Sequence, residues 1–336
     1  MVGGLQLSDI ITGLDARMIL DSRGNPTVEV DCFVGGMLKG RAAVPSGAST
    51  GRHEALELRD ENSERWLGKG VDQAIINVVE PIQEALVGIP VVNQKDIDEI
   101  LIELDGTENK GNLGANSMLG ASLACLHAGA AIHEMHLWQY VGGIAGGMMP
   151  VPMLNILNGG QHATSNVDVQ EFMVIPHGFD TFPEALRAGT ECYHSLKKEL
   201  KSDGLLSGVG DEGGFAPNLP TNEHGLRYMV KVIEGAGYST EDIGIAMDVA
   251  ATEFLHEDGY HMDSKVLSSE ELGDEYSSWL DNYPILSIED GFGEDDWRAW
   301  TEFTAKEGDR VQLVGDDLFV TQGARLAQGI ETKAAN

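Results

Sequence analysis

Acidic residues close four short apolar runs in this chain: Val209-Gly210-Asp211-Glu212, Ile243-Gly244-Ile245-Ala246-Met247-Asp248, Ile285-Leu286-Ser287-Ile288-Glu289-Asp290 and Val311-Gln312-Leu313-Val314-Gly315-Asp316-Asp317. If the runs are neighbouring strands, their terminal side chains converge. Three carboxylates from adjacent strands form an all-oxygen donor set, which suits a hard divalent cation, and Mg2+ is the natural choice. Asp248, Glu289 and Asp316 are the candidate ligands, and Glu212 on the neighbouring run is a candidate acid or base. The competing reading is solvated loop acids in an acid-rich chain. It suits any one of these residues better than it suits all four.

Other positions carry weaker signals. His162 lies in a glycine-flanked loop, Asn158-Gly159-Gly160-Gln161-His162-Ala163, where a lone histidine is more often inert than catalytic. Gln170 and Glu171 close a further apolar segment, and structural hydrogen bonding explains them equally well. Gly208-Val209-Gly210-Asp211-Glu212-Gly213 has the glycine spacing of a dinucleotide loop, but its two carboxylates would repel a pyrophosphate. Ser46-Gly47-Ala48-Ser49-Thr50-Gly51 lacks the lysine of a phosphate loop. It reads as a plain surface loop or as a lid whose hydroxyls reach a metal or a phosphate.

The spacing of the acids dictates the elements that position them. From Glu212 to Asp248 to Glu289 to Asp316 the intervals are 36, 41 and 27 residues, each enough for strand, loop, helix and loop, a parallel βαβ unit. Helical patterns fall at 183–201, 269–282 and 295–306. Two earlier strands at 152–157 and 169–175 bring the expected number to about six. Strands buried on both faces with acids at their C-terminal ends predict a β/α barrel, with a doubly wound open sheet as the rival. Residues 1–140 instead read as a small α+β domain, with a hairpin about Gly35-Gly36 and a helix over 116–138. Residues 141–336 carry the barrel pattern. The 186 residues from Val151 onward fall short of the ~250 of a closed barrel, and the pattern stops inside a helix over 323–336. The expectation is therefore a partial barrel with two open edges, prone to aggregate.

Composition bounds the function classes. Of 336 residues 42% are apolar, enough for a large core. The net charge of −32 disfavours nucleic acid and anionic membrane as partners. Residues 232–336 alone hold 24 acidic against 6 basic side chains. The stretch 141–161 is uncharged but broken by Pro150, Pro152 and several glycines, so it does not read as a membrane span. Cys32, Cys125 and Cys192 form no spaced pair, which argues against a disulfide framework or a zinc site and, without a visible secretory signal, predicts a cytoplasmic protein.

Several of these segments together resemble enolase, the phosphopyruvate hydratases. They are Asp21-Ser22-Arg23-Gly24-Asn25-Pro26-Thr27-Val28-Glu29-Val30, Val44-Pro45-Ser46-Gly47-Ala48-Ser49-Thr50-Gly51, Leu113-Gly114-Ala115-Asn116 and Leu157-Asn158-Gly159-Gly160-Gln161-His162. Gln170-Glu171-Phe172-Met173, Val209-Gly210-Asp211-Glu212-Gly213-Gly214, Ser287-Ile288-Glu289-Asp290 and Asp316-Asp317-Leu318 continue the likeness. The resemblance implies a small α+β capping domain ahead of a barrel and reversible, Mg2+-dependent dehydration of 2-phosphoglycerate to phosphoenolpyruvate. It implies Mg2+ ligands at Asp248, Glu289 and Asp316, and Ser49 on a lid that reaches a second Mg2+. Glu212 matches the proton donor, expected to keep its proton by burial among other acids. Glu171 and Asp211 support it, while His162 and Gln170 line the substrate pocket. A homodimer is implied for the complete enzyme.

Four departures stand against the likeness. The family's proton-accepting lysine, its phosphate-gripping Arg-Ser pair and a further active-site lysine would follow Asn336, and Lys333 is too early to replace them. Gly291 stands where the family usually has proline. The expectations are therefore an enolase whose 336 residues alone are inactive or, as alternatives, a non-catalytic enolase-like binding scaffold or one half of a split enzyme.

Overall fold

A computed structural model describes residues 9–47 and 50–336. Ser49, the expected lid ligand, lies outside the described residues. The chain divides into two compact units, Met1–Gly47 with Ala55–Met148, and Ala48–Glu54 with Met149–Asn336.

The first unit is α+β. Strands β1 (Ile11–Leu20), β2 (Pro26–Val34) and β3 (Met37–Ala43) form an antiparallel meander, and Gly35 and Gly36 turn β2 into β3 with φ of 58° and 78°. Four helices follow: α1 (Asp72–Asn77), α2 (Gln83–Leu86), α3 (Gln94–Asp105) and α4 (Ala115–Ile132). Helix α4 is long and apolar enough to cross a membrane by length and composition alone, but it packs on β2 and β3 inside the unit. Its small residues permit that approach: a Cβ on Gly40 of β3 would stand 2.0 Å from the Ala124 carbonyl oxygen. The helix expected over 116–138 breaks after Ile132. Glu134 turns into the left-handed region at φ 54°, and α5 (Leu137–Gly142) begins afresh. Cys32 and Cys125, 93 positions apart, meet in this core as reduced thiols with their sulfurs 3.8 Å apart.

The second unit holds a five-stranded sheet in the order β11-β10-β6-β5-β4, formed by β4 (Leu154–Asn158), β5 (Glu171–Ile175), β6 (Gly244–Asp248), β10 (Ile285–Glu289) and β11 (Gln312–Val314). Between them come α6 (Phe182–Ser202), α7 (Asn222–Gly235), a small sheet β7 (Leu255–His256), β8 (Gly259–Met262) and β9 (Lys265–Leu267), then α8 (Ser269–Asn282), α9 (Trp297–Glu307) and, last, α10 (Gly323–Thr332). Helix α8 starts on a capping box in which the Ser268 hydroxyl accepts from Glu271 N–H and the Glu271 carboxylate accepts from Ser268 N–H. Thr181 caps α6 and Asp296 caps α9. One face of the sheet and the helices enclose a continuous core that includes Phe172, Trp279 and Trp300.

Strands β6, β10 and β11 are parallel, as the βαβ reading requires. Three expectations are corrected. Strands β4 and β5 pair antiparallel, as do β5 and β6, and the 12 residues between β4 and β5 form a loop with one short turn at Gly160–His162 instead of a crossover helix. The run Val209-Gly210-Asp211-Glu212 is a loop rather than a strand, so the sheet has five strands instead of about six. Its glycines turn the chain back, and Phe215 makes isolated bridges to Leu157 and Val209. Finally, the pattern over 323–336 is not all helix. Lys333 caps α10 in the left-handed conformation, and Asn336 comes alongside β11, its Oδ1 accepting from Leu313 N–H at 2.7 Å.

Candidate metal and active site

Sheet register assembles the site. Asn158 pairs with Glu171, Glu171 with Asp248, Asp248 with Glu289, and Glu289 with Val314, so these positions form one row across five strands. Residues in one row face the same side, and neighbouring strands are ~4.8 Å apart. Glu171, Asp248 and Glu289 are thereby forced together at the ends of three adjacent strands. Asp316 lies two residues beyond Val314, exposed at the rim.

Electrostatics show how close they are. Burial pushes the Asp248 carboxyl up to about 7, aided by the Glu171 charge and opposed by a hydrogen bond from Gln170 Nε2 at 3.1 Å. Burial likewise raises Glu289 to about 8, with the Asp248 and Asp316 charges adding to it. Asp317 rises to about 6 by burial and by its neighbour Asp316. Like charges this close oppose one another's ionisation unless a cation joins them. The oxygens of Asp248, Glu289 and Asp290 lie within 4.8 Å of one another. The all-oxygen donor set, half-buried and short of positive charge, fits Mg2+.

Sequence reasoning missed Asp290. This residue is 3% exposed, sits at φ 43°, and is raised to about 9 by burial. Its carboxylate accepts from the backbone N–H groups of Asp316 (3.2 Å), Asp317 (2.8 Å) and Leu318 (3.4 Å). Asp290 thus fastens the loop that carries Asp316, and its lone pairs are largely committed to that task. Its only sequence signal is the acidic pair Glu289-Asp290 itself.

His162 comes to the same place from the loop after β4. Its ring is 6% exposed, and Nδ1 lies 3.1 Å from Glu171 Oε1, an ion-pair contact whose angle misses that of a hydrogen bond. Burial alone would lower its pKa. The Glu171, Glu212 and Asp248 carboxylates outweigh that, and the net direction is up. The turn bearing Asp211 and Glu212 is tied to this loop, because Asp211 N–H donates to the His162 carbonyl at 3.0 Å. Gly214 lets it sit there: a Cβ would stand 2.4 Å from Asn158 Oδ1. The expected burial of Glu212 is not found. Glu212 and Asp211 are both exposed on a polar turn with no apolar cover.

His53, Glu294 and Asp295 form a second grouping of possible ligands. Arg52 pairs with both acids, and Arg325 lies 3.3 Å from Asp295. Two guanidiniums already neutralise this cluster, so it is an ion-pair network and not a cation site.

A small α+β unit followed by an acid-rimmed β/α sheet is the two-unit architecture of a barrel-class α/β protein. Residues 11–141 match the family model described as the enolase N-terminal domain, and residues 147–336 match the enolase C-terminal TIM barrel domain. The chain belongs to the enolase family.

Proposed function

We propose that this chain carries the metal-binding and acid side of a phosphopyruvate hydratase, which interconverts 2-phosphoglycerate and phosphoenolpyruvate in glycolysis and gluconeogenesis. The observation that carries the reading is the row Glu171–Asp248–Glu289, in which burial and neighbouring acids raise Asp248 and Glu289. Asp248, Glu289 and Asp316 would hold Mg2+, with Ser49 reaching a second ion. Bound there, Mg2+ supplies positive charge to the substrate carboxylate, which lowers the cost of removing the adjacent proton.

The chain's own residues would divide the remaining work. Gln170 holds Asp248 in place through its amide hydrogen bond. His162, held against Glu171, presents a cationic donor to the substrate. Glu212 would protonate the departing hydroxide, with Asp211 beside it. Because the Glu212 turn is exposed, the desolvation that keeps a carboxylic acid protonated would come from bound substrate covering it.

The charges that act most strongly on Asp248 and Glu289 are all carboxylates, which favours a cation between them. The working enzyme would be a cytoplasmic homodimer. The test is phosphoenolpyruvate formation by the purified full-length protein. Mg2+-dependent turnover is expected, falling at least 1000-fold in Glu289→Gln. Turnover that survives excess chelator would overturn the reading.

A further inference from the structure

The small sheet beside the barrel strands carries two histidines that the proposed reaction does not use. Strands β7 and β8 are joined by Glu257 and Asp258, with His256 paired to Gly259 and Leu255 to Tyr260. Alternation along β8 sends Tyr260 and Met262 into the core and leaves Gly259 and His261 on the outer face. His256, opposite Gly259, shares that outer face. Their ring centroids are 4.2 Å apart with 46° between the planes. From the turn, Asp258 Oδ1 lies 2.7 Å from Nε2 of His261.

We propose that His256 and His261 bind a divalent transition-metal ion on this hairpin, with Asp258 orienting the second ring. A carboxylate on Nε2 keeps the proton there and leaves the Nδ1 lone pair of His261 free for an ion. Imidazole nitrogen selects Zn2+, Ni2+ or Cu2+, whereas Mg2+ prefers oxygen, so the hairpin and the acidic rim would sort different ions. With metal–nitrogen bonds of about 2.0–2.1 Å, two neighbouring imidazoles on one ion have centroids roughly 4.5 Å apart at a right angle and roughly 5.2 Å at the tetrahedral angle. The observed 4.2 Å is shorter by a few tenths of an ångström to about 1 Å, so the two surface rings would part slightly to take the ion between them. Water would complete the coordination on the open side.

Zn2+ is the probe. It is titrated calorimetrically into the 336-residue chain at pH 7.5 with Mg2+ in large excess to hold the acidic rim. One equivalent should bind with a dissociation constant on the order of micromolar. His256→Ala and His261→Ala should each weaken it at least tenfold and Asp258→Asn by several-fold. All three side chains are on the surface, and unchanged circular dichroism would verify that the variants fold. A second readout is the nitrogen resonances of these two rings, which should shift with Zn2+ while those of His162 stay in place. Uptake unaltered in the double variant His256→Ala/His261→Ala, or no saturable uptake at all, would overturn the proposal.

Discussion

Loading the acidic rim with Mg2+ should expel protons, in a number that follows from the site. Burial and neighbouring acids hold Asp248 at about 7 and Glu289 at about 8. At pH 7 about half of the Asp248 carboxyls and about nine-tenths of the Glu289 carboxyls are therefore protonated. An ion that needs both ionised would release about 1.4 protons. At pH 9 the corresponding release is about 0.1 proton. Calorimetric titration of Mg2+ in PIPES and in Tris measures this directly, because the apparent enthalpy changes with buffer ionisation enthalpy in proportion to the protons released. Glu289→Gln should remove about 0.9 of the release at pH 7 and weaken binding more than tenfold. A release below about 0.3 at pH 7, or one that does not decline by pH 9, would refute the argument that these acids share a desolvated cation site.

The same acids should make the metal-free protein less stable as pH rises. Asp248 and Glu289 have folded values above the ordinary 3.8 and 4.5, so above those values the folded state holds protons the unfolded chain has lost. The loss builds between about pH 4 and pH 8, to about 4 kcal/mol for Asp248 taken alone. The urea midpoint in chelator should be higher at pH 5.5 than at pH 9, with Mg2+ restoring it at pH 9; the reverse order would be fatal. Asp290→Ala should cost about 2–4 kcal/mol in urea denaturation, since it strands the N–H groups of Asp316 and Asp317. A cost under 1 kcal/mol would remove its fastening role. With a net charge of −32, raising KCl from 0.05 to 1 M should lift the melting temperature by several degrees, and a flat response would discount self-repulsion.

Legibility in the sequence followed the range of the interaction. Strand β10 was readable because Ile285, Ser287 and Ile288 are buried with an acid at the end, and α8 because its capping box is local. Strand direction was not. Whether β5 runs with or against β6 depends on which way the preceding loop returns the chain, and the Gln170-Glu171 segment carries no mark of it. Val209 looked like the start of a strand, yet its glycine neighbours fold back and the strand-like pairing falls to Phe215. Asp248 and Glu289 were legible as a pair, whereas the task of Asp290 appears only once a loop 26 residues later lies on it. The meeting of Cys32 with Cys125 likewise depends on α4 packing over β2.

The central claim is that carboxylates from separate strands surround one divalent cation. Crystals of the protein soaked in Mn2+ and measured at the manganese edge test it most directly. The account predicts the strongest anomalous peak about 2.2 Å from carboxylate oxygens of Asp248, Glu289 and Asp316. A strongest peak at Glu294 and Asp295, or none near Asp248, would contradict it.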